Sequence, residues 1–245
     1  MLIDLHAHSY LSKGCDLDPR AVLDRAAMFG LDAVAFTETN TQDGCDELLE
    51  LGAKARVKVF VGLELLTDRG QYLCFFAKPE LAPEPVQMWG SNREKPWSAA
   101  ECLPKVRSLG AAIVAARPFD RDSPHPAMDY VRSLGGVLCA VEGYNARVKQ
   151  TANDLAVEAA EQLKLPCTGG SDARTTLDEV GYGATFFKQP VQTQAQLVAA
   201  LLAGDFLPVM AGELPRLTRP GEAQAARGGG KQRRGAGGGG GRRRR

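Results

Sequence analysis

Long hydrophobic runs are missing from this 245-residue chain. No apolar stretch approaches the roughly 18 residues that suggest a membrane span, so no membrane association is expected. The N-terminus lacks the basic-then-apolar pattern of a secretory leader. There is no C-x-x-C pair either. The six cysteines (Cys15, Cys45, Cys74, Cys102, Cys139, Cys167) are scattered, several of them inside apolar runs where cysteine serves as a small buried hydrophobe. That pattern fits a reducing cytoplasm rather than a disulfide framework. Histidine is scarce as well: there are three, and two of them stand two residues apart near the start.

What is present is ordinary for a soluble protein, with 44% hydrophobic and 24% charged residues. The length suits one large α/β domain as easily as two small ones. The net charge of +1 hides an asymmetry. From Arg227 onward there are eight Lys/Arg and no acid, which leaves 22 basic against 29 acidic residues in the rest. An acidic globular body, residues 1–214, is expected to carry a Gly/Arg-rich tail, residues 215–245. The tail cannot bury enough apolar surface to order itself, so it is expected to be disordered. Flexible cationic segments bind phosphate backbones without sequence preference, so nucleic acid is a possible partner for Arg242–Arg245. No aromatics are interleaved for stacking, and a purely solubilising tail is the other reading.

The run Ile3-Asp4-Leu5-His6-Ala7-His8 reads as a buried strand. Residues i and i+2 of a strand point the same way, so His6 and His8 would converge just past its end. Two imidazoles on one face are half of a four-ligand metal site; two histidines hydrogen-bonded at a strand end are the alternative. Asp18-Pro19 signals a helix start. A second strand, Ala33–Phe36, runs into Thr37-Glu38-Thr39-Asn40, and a short helix follows near Asp46–Gly52. Val57–Leu65 is a third strand, with Tyr72–Ala77 expected to pair with it through Asp68-Arg69-Gly70. Residues 79–97 hold four prolines and both tryptophans, and read as a lid or as a packed surface loop.

Ser98-Ala99-Ala100-Glu101 has the form of a capping box opening the next helix. Further strands are expected at Ala111–Ala115, Val137–Val141, Pro166–Gly169 and, last, Tyr182–Phe187. Helices are expected at Asn153–Leu163 and from Thr193 to Leu202. His125, in a Pro-rich loop, is assigned no role. Strand and helix alternate about seven times, which argues a parallel sheet, doubly wound or closed as a barrel. Nearly every strand ends in polar residues: His6 and His8, Glu38, Glu64, Arg117, Glu142 with Asn145, Asp172 with Arg174. That favours a barrel with one shared mouth.

These endings resemble the PHP family, named for polymerase and histidinol phosphatase domains. The matching stretches are Asp4-Leu5-His6-Ala7-His8-Ser9, Phe36-Thr37-Glu38-Thr39-Asn40, Gly62-Leu63-Glu64, Arg117-Pro118-Phe119, Val141-Glu142-Gly143-Tyr144-Asn145 and Gly170-Ser171-Asp172-Ala173-Arg174, in the family's order. The resemblance implies a distorted seven-stranded (β/α) TIM-like barrel. It also implies up to three divalent metals at the rim and hydrolysis of phosphate esters of small metabolites or nucleotides. Four expected ligand positions depart from the family's pattern, reading Lys13, Thr39, Arg117 and Arg174. By resemblance, His6, His8, Glu64 and Asp172 remain as the ligands of one metal, of a kind that suits Zn²⁺, Mn²⁺ or Fe²⁺.

Lys13, Arg117 and Arg174 would then stand where the other metals would be and, with Asn145, would bind the substrate phosphate. Glu38 and Glu142 are candidates for a catalytic base, or else structural carboxylates. The expectation is a one-metal phosphoesterase. The alternative is a metal-free, non-catalytic member that binds a phosphorylated ligand or nucleic acid, its mouth an ion-pair network.

Overall fold

The computed structural model describes residues 1–79, 97–121, 128–134 and 136–210. The Gly/Arg-rich tail, the excursion between Pro79 and Trp97, and His125 lie outside them. Among the described residues no helix is long and apolar enough to cross a membrane. Nine strands form one sheet: β1 (Leu2–Ala7), β2 (Ala33–Thr39), β3 (Lys58–Thr67), β4 (Gly70–Phe75), β5 (Ala112–Ala116), β6 (Ala140–Asn145), β7 (Cys167–Gly170), β8 (Gly183–Phe187) and β9 (Phe206–Met210). The helices are α1 (Pro19–Met28), α2 (Cys45–Lys54), α3 (Ala99–Ser108), α4 (Met128–Ser133), α5 (Gln150–Leu163) and α6 (Gln194–Ala203).

The sheet order is β7-β6-β5-β4-β3-β2-β1-β8-β9. It is mixed rather than wholly parallel. β1, β2 and β3 are parallel, as are β5, β6 and β7. β4 is antiparallel to both β3 and β5, because the tight turn at Asp68-Arg69 returns the chain without a crossover. The sheet nearly closes on itself. Just past β7, Asp172 N donates to His6 O (2.7 Å) and His8 N to Ala173 O (3.1 Å). At the opposite end β8 pairs antiparallel with β1, and β9 pairs with β8. So β1–β7 make the barrel-like circuit, and the antiparallel pair β8 and β9, joined through α6, fills its gap. β9 takes the place of β8 as the last strand.

Side chains alternate across this sheet as strand geometry requires. Tyr72 and Cys74 pack in one core with Cys102, Leu103 and Val106 of α3. Leu73 and Phe75 pack in another with Ile3, Leu5, Ala33, Ala35 and Leu197, Val198 and Leu201 of α6. Each fully buried leucine or phenylalanine contributes roughly 1.5–3 kcal/mol. Helix starts follow their caps. The Asp18 carboxylate accepts from Arg20 N (2.7 Å) and Ala21 N (3.1 Å), with Pro19 at the first position. Thr193 and Gln196 form a reciprocal capping box. Ser98 makes no such bond. The first N–H of α3, that of Ala99, goes instead to Asp68 Oδ1 at 2.9 Å, so the β3–β4 turn caps this helix.

Two local insertions re-aim side chains at one end of the barrel. Between Asp4 and Ala7, β1 spends one residue more than β2. Ile3 and Leu5 face the core that includes α6, and regular alternation would turn His6 away from it; the bulge brings His6 onto the side of Glu64. Between Glu142 and Tyr144, β6 spends one residue more than β7, which brings Glu142 and Asn145 to one side. Bulges beside active sites commonly do this.

Candidate metal centre

The C-terminal ends of the parallel strands, with the start of antiparallel β4, assemble the polar residues expected there. His6, His8, Glu38, Glu64, Glu142, Asn145 and Asp172 are all buried, with no side chain left at the surface. Arg117 and Arg174 keep 17% and 21% of their side chains exposed, so their heads form the solvent side of the cluster. Arg117 (φ 33) and Asp172 (φ 50) hold left-handed backbone conformations that side chains other than glycine rarely adopt. Such strain gathers at sites the surrounding structure over-determines.

Both imidazoles are fixed by partners behind them. His6 Nδ1 lies 2.8 Å from Glu142 Oε1, so it donates there and turns Nε2 into the cluster. Ser12 Oγ gives its one hydrogen to Glu38 Oε2 and accepts from Thr39 N at 2.9 Å. Its 3.2 Å contact with His8 Nδ1 is therefore donated by the ring, which leaves a lone pair on His8 Nε2. A ring N–H held by an outer partner is how metal-binding histidines are oriented.

In front of the rings, His6 Nε2 is 3.4 Å from Glu64 Oε1 and 3.5 Å from Asp172 Oδ1, and His8 Nε2 is also 3.5 Å from Asp172 Oδ1. His6, His8 and Glu64 each bring a ligand atom within 4.8 Å of the others. His6 Nε2, Glu64 Oε1 and Asp172 Oδ1 are buried without a hydrogen-bond partner among the described residues.

Burial alone would raise Glu64, but His6, His8 and Arg174 hold its carboxyl well below the usual range. Burial would likewise raise Asp172, and His6, His8 and Arg117 bring it down. Burial lowers His8, and Arg174 and His6 add to that against the pull of Asp172 and Glu64. His8 is thus neutral, as its hydrogen bonds require.

The two arginines sit on this cluster from different sides. Arg117 Nη1 is 3.4 Å from Asp172 Oδ2 and 3.5 Å from Asp120 Oδ2, while its Nε donates to Gln71 Oε1 at 2.6 Å. Arg174 Nη2 is 2.7 Å from His8 Nε2, 2.8 Å from Glu64 Oε2 and 3.1 Å from Thr39 Oγ1.

Not every residue expected here is placed as expected. Lys13 is exposed on the loop after β1 and is not among the cluster's contacts; its neighbour Ser12 points in instead. Asn145 is in the cluster, but its amide donates to Glu142 Oε2 (3.0 Å) and Asp172 Oδ2 (3.4 Å), so it orients carboxylates and is not free for an anion. Glu38 accepts from Ser9 N, Ser9 Oγ and Ser12 Oγ. Glu142 accepts from His6 Nδ1, Arg117 N and Asn145 Nδ2. Both carboxylates thus anchor neighbouring groups of the cluster. Ser9, Ser12, Thr39 and Gln71 are the members sequence reasoning missed. Ser9, Ser12 and Thr39 lie within or beside the quoted motifs.

One glycine is dictated by the site. A Cβ on Gly170 would lie 2.5 Å from His6 Cβ and 3.0 Å from both His6 N and Glu142 Oε1. Gly170→Ala is expected to push His6 from its seat and to cost about 1–3 kcal/mol, read by urea denaturation. A variant as stable as the parent would mean that β1 and β7 approach less closely.

The chain belongs to the PHP family: the PHP domain model matches residues 4–101 and the PHP-associated model residues 150–206. A curated relative from Eggerthella lenta, a phosphoribosyl 1,2-cyclic phosphate 1,2-diphosphodiesterase, is 34% identical over 100 residues, 39% of this chain. The match spans 38% of that relative's length. Among solved structures, PsfC from Pseudomonas syringae superposes with a TM-score of 0.67 at 24% identity, over 89% of this chain and 94% of its own. A two-domain protein from Bacteroides vulgatus, described as containing a "predicted PHP-like metal-dependent phosphoesterase", superposes with a TM-score of 0.65 at 17% identity. It is matched over 86% of this chain and 64% of its own. At these identities the likeness shows the shared barrel fold.

Proposed function

We propose that this chain is a metal-dependent phosphoesterase acting on a small phosphorylated metabolite or nucleotide. One divalent ion, Zn²⁺, Mn²⁺ or Fe²⁺, is held by His6, His8, Glu64 and Asp172, and Arg117 and Arg174 receive the substrate phosphate. The observation that carries this reading is the convergence of three buried atoms without a hydrogen bond: His6 Nε2, Glu64 Oε1 and Asp172 Oδ1. Unsatisfied polar atoms are rare in protein interiors, and each costs about 1–3 kcal/mol. A proton on His6 Nε2 meets these two oxygens only at 3.4–3.5 Å, long for a hydrogen bond, so it satisfies them less well than a metal ion that displaces it would. Two imidazoles and two carboxylates are a donor set that such ions accept.

When bound, such an ion supplies a Lewis acid for a phosphoryl oxygen and lowers the pKa of a bound water. The chain's own groups supply the rest. Glu142 and Ser12 hold the histidine rings in the ligating tautomer. The partly exposed guanidinium forks of Arg117 and Arg174 offer paired N–H donors to phosphate oxygens and stabilise charge developing there. The relative from Eggerthella lenta acts on a phosphoester, which supports this substrate class.

One observation favours a second reading, a non-catalytic binder of phosphorylated ligands. Arg174 already rests on His8 Nε2 and Glu64 Oε2, where a metal would draw. Elemental mass spectrometry of protein purified without chelator separates the two. The first reading expects about one metal equivalent per chain, lost in a His6→Ala/His8→Ala double variant, with Mn²⁺- or Zn²⁺-dependent hydrolysis of an aryl phosphate. Metal-free protein with no turnover under any ion leaves the binder.

A further inference from the structure

We propose that Arg174 is a latch that couples the binding of a tetrahedral oxyanion to the binding of the metal. The inference rests on the metal site proposed above and concerns its regulation. A single nitrogen, Arg174 Nη2, lies within hydrogen-bond distance of His8 Nε2 (2.7 Å), Glu64 Oε2 (2.8 Å) and Thr39 Oγ1 (3.1 Å). It carries two hydrogens for three acceptors. It occupies, with a fixed positive charge, the place from which a metal ion would draw on His8 and Glu64.

Glu64 is divided accordingly: Oε2 faces Arg174, while Oε1 faces His6 without a partner. Ser12 and Glu38 fix the His8 tautomer, so Nε2 has one lone pair to give. One lone pair cannot serve a guanidinium and a metal together. Full ligation by His6, His8, Glu64 and Asp172 therefore requires Nη2 to leave His8.

The head of Arg174 has somewhere to go. Its side chain is 21% exposed, whereas the groups beneath it are sealed. Its backbone is pinned separately, since Arg174 N and Thr175 N donate to Glu179 Oε2 at 2.7 and 2.8 Å. The side chain can then swing without moving the loop. A phosphate or sulfate offers the guanidinium two oxygens at the spacing of its fork, which chloride does not. An oxyanion that takes the fork releases His8 and Glu64 to the ion. By linkage the ion must tighten the oxyanion by the same factor. Substrate and metal then assemble together, and the resting site stays neutralised by the chain's own cation.

The test measures Mn²⁺ affinity of the intact chain by the electron paramagnetic resonance signal of free Mn²⁺. Sulfate serves as a non-hydrolysable tetrahedral dianion, against chloride at equal ionic strength, with the His6→Ala/His8→Ala variant as blank. In the wild type sulfate is expected to tighten Mn²⁺ binding about tenfold, within the range usual for coupled sites. Arg174→Met is expected to bind Mn²⁺ more tightly than wild type without sulfate and to lose the sulfate effect. Arg174→Lys keeps the charge beside Glu64 but not the fork, and is expected to show less than about a third of the coupling factor. An unchanged affinity in the wild type overturns the latch alone. So does a sulfate effect that survives in both variants, since the anion would then sit on the metal directly. No Mn²⁺ binding by any of the proteins under either condition overturns the metal site itself, and the latch with it.

Discussion

Replacing Asp172 with asparagine is expected to destabilise the metal-free protein by about 3–5 kcal/mol and to abolish metal binding and any metal-dependent turnover. The substitution is chosen because Asp172 holds a left-handed backbone, φ 50, which asparagine tolerates as well as aspartate. The change therefore removes charge without adding backbone strain. Asp172 is wholly buried, and its two oxygens serve four cationic or potentially cationic groups: His6 and His8 at 3.5 Å, Arg117 at 3.4 Å and Arg174 at 3.7 Å. Arg117 keeps Asp120 and Arg174 keeps Glu64, so neither is stranded. The His6 ring loses most, because the Asp172 charge is one of the two that hold its proton. Removing one partner of a buried ionic network typically costs this much, since the remaining charges cannot be resolvated. Urea denaturation in chelator reads the stability, and elemental analysis reads the metal. A variant within about 1 kcal/mol of the parent that still carries an equivalent of metal would show that Asp172 is not the hub of the cluster.

The strands that carry or lead to His6, Glu38, Glu64, Glu142 and Asp172 were legible because short buried runs meet polar residues there. The caps at Asp18 and Thr193 were legible because their chemistry is local. Ser98 shows the limit of that rule. The motif is complete in the sequence, yet Asp68, from the β3–β4 turn, takes the helix N–H, and nothing local announces it. β9 is short and contains Pro208; it exists because β8 offers it an edge. At the site, the convergence of His6 and His8 follows from their spacing. That they face Glu64 follows from a bulge between Asp4 and Ala7, which no pattern in the sequence marks. The same holds for Glu142 and Asn145, three residues apart yet bonded to each other across the second bulge. Lys13 lies at the surface, one residue from the inward position. A loop has no period to fix its register, and the inward position went to Ser12, whose hydroxyl finds Glu38, Thr39 and His8.

The second large effect is expected from pH, and its sign differs between metal binding and stability. Burial by itself would lower His6, but the Glu142 and Asp172 carboxylates against the ring outweigh it and hold the proton well above the ordinary imidazole value. A metal ion needs His6 Nε2 as a lone pair, so binding must expel that proton. Below the raised value, each unit of pH is expected to tighten Mn²⁺ binding about tenfold, equivalent to about 1.4 kcal/mol. His8 does not add to this slope, because it is already neutral.

In the metal-free chain the linkage runs the other way. A folded-state value above the unfolded one of about 6.5 contributes stability that is fully present below that pH. It is lost as pH rises through the folded value. Asp4, pushed by burial up to about 6 despite its bonds from Ser171 and His6, adds a loss of the same sign between about pH 4 and 6. Glu64 and Asp172, both depressed, act oppositely, losing their contribution as pH falls below about 4.

The metal-free protein should therefore be most stable in weak acid and weaken toward alkaline pH, while saturating Mn²⁺ should flatten or reverse that slope. Denaturation midpoints at a series of pH values, in chelator and in Mn²⁺, measure both. Mn²⁺ affinity that stays flat between about pH 6 and 8 would mean that His6 carries no proton for the metal to displace, and that the ion, if bound, is held elsewhere.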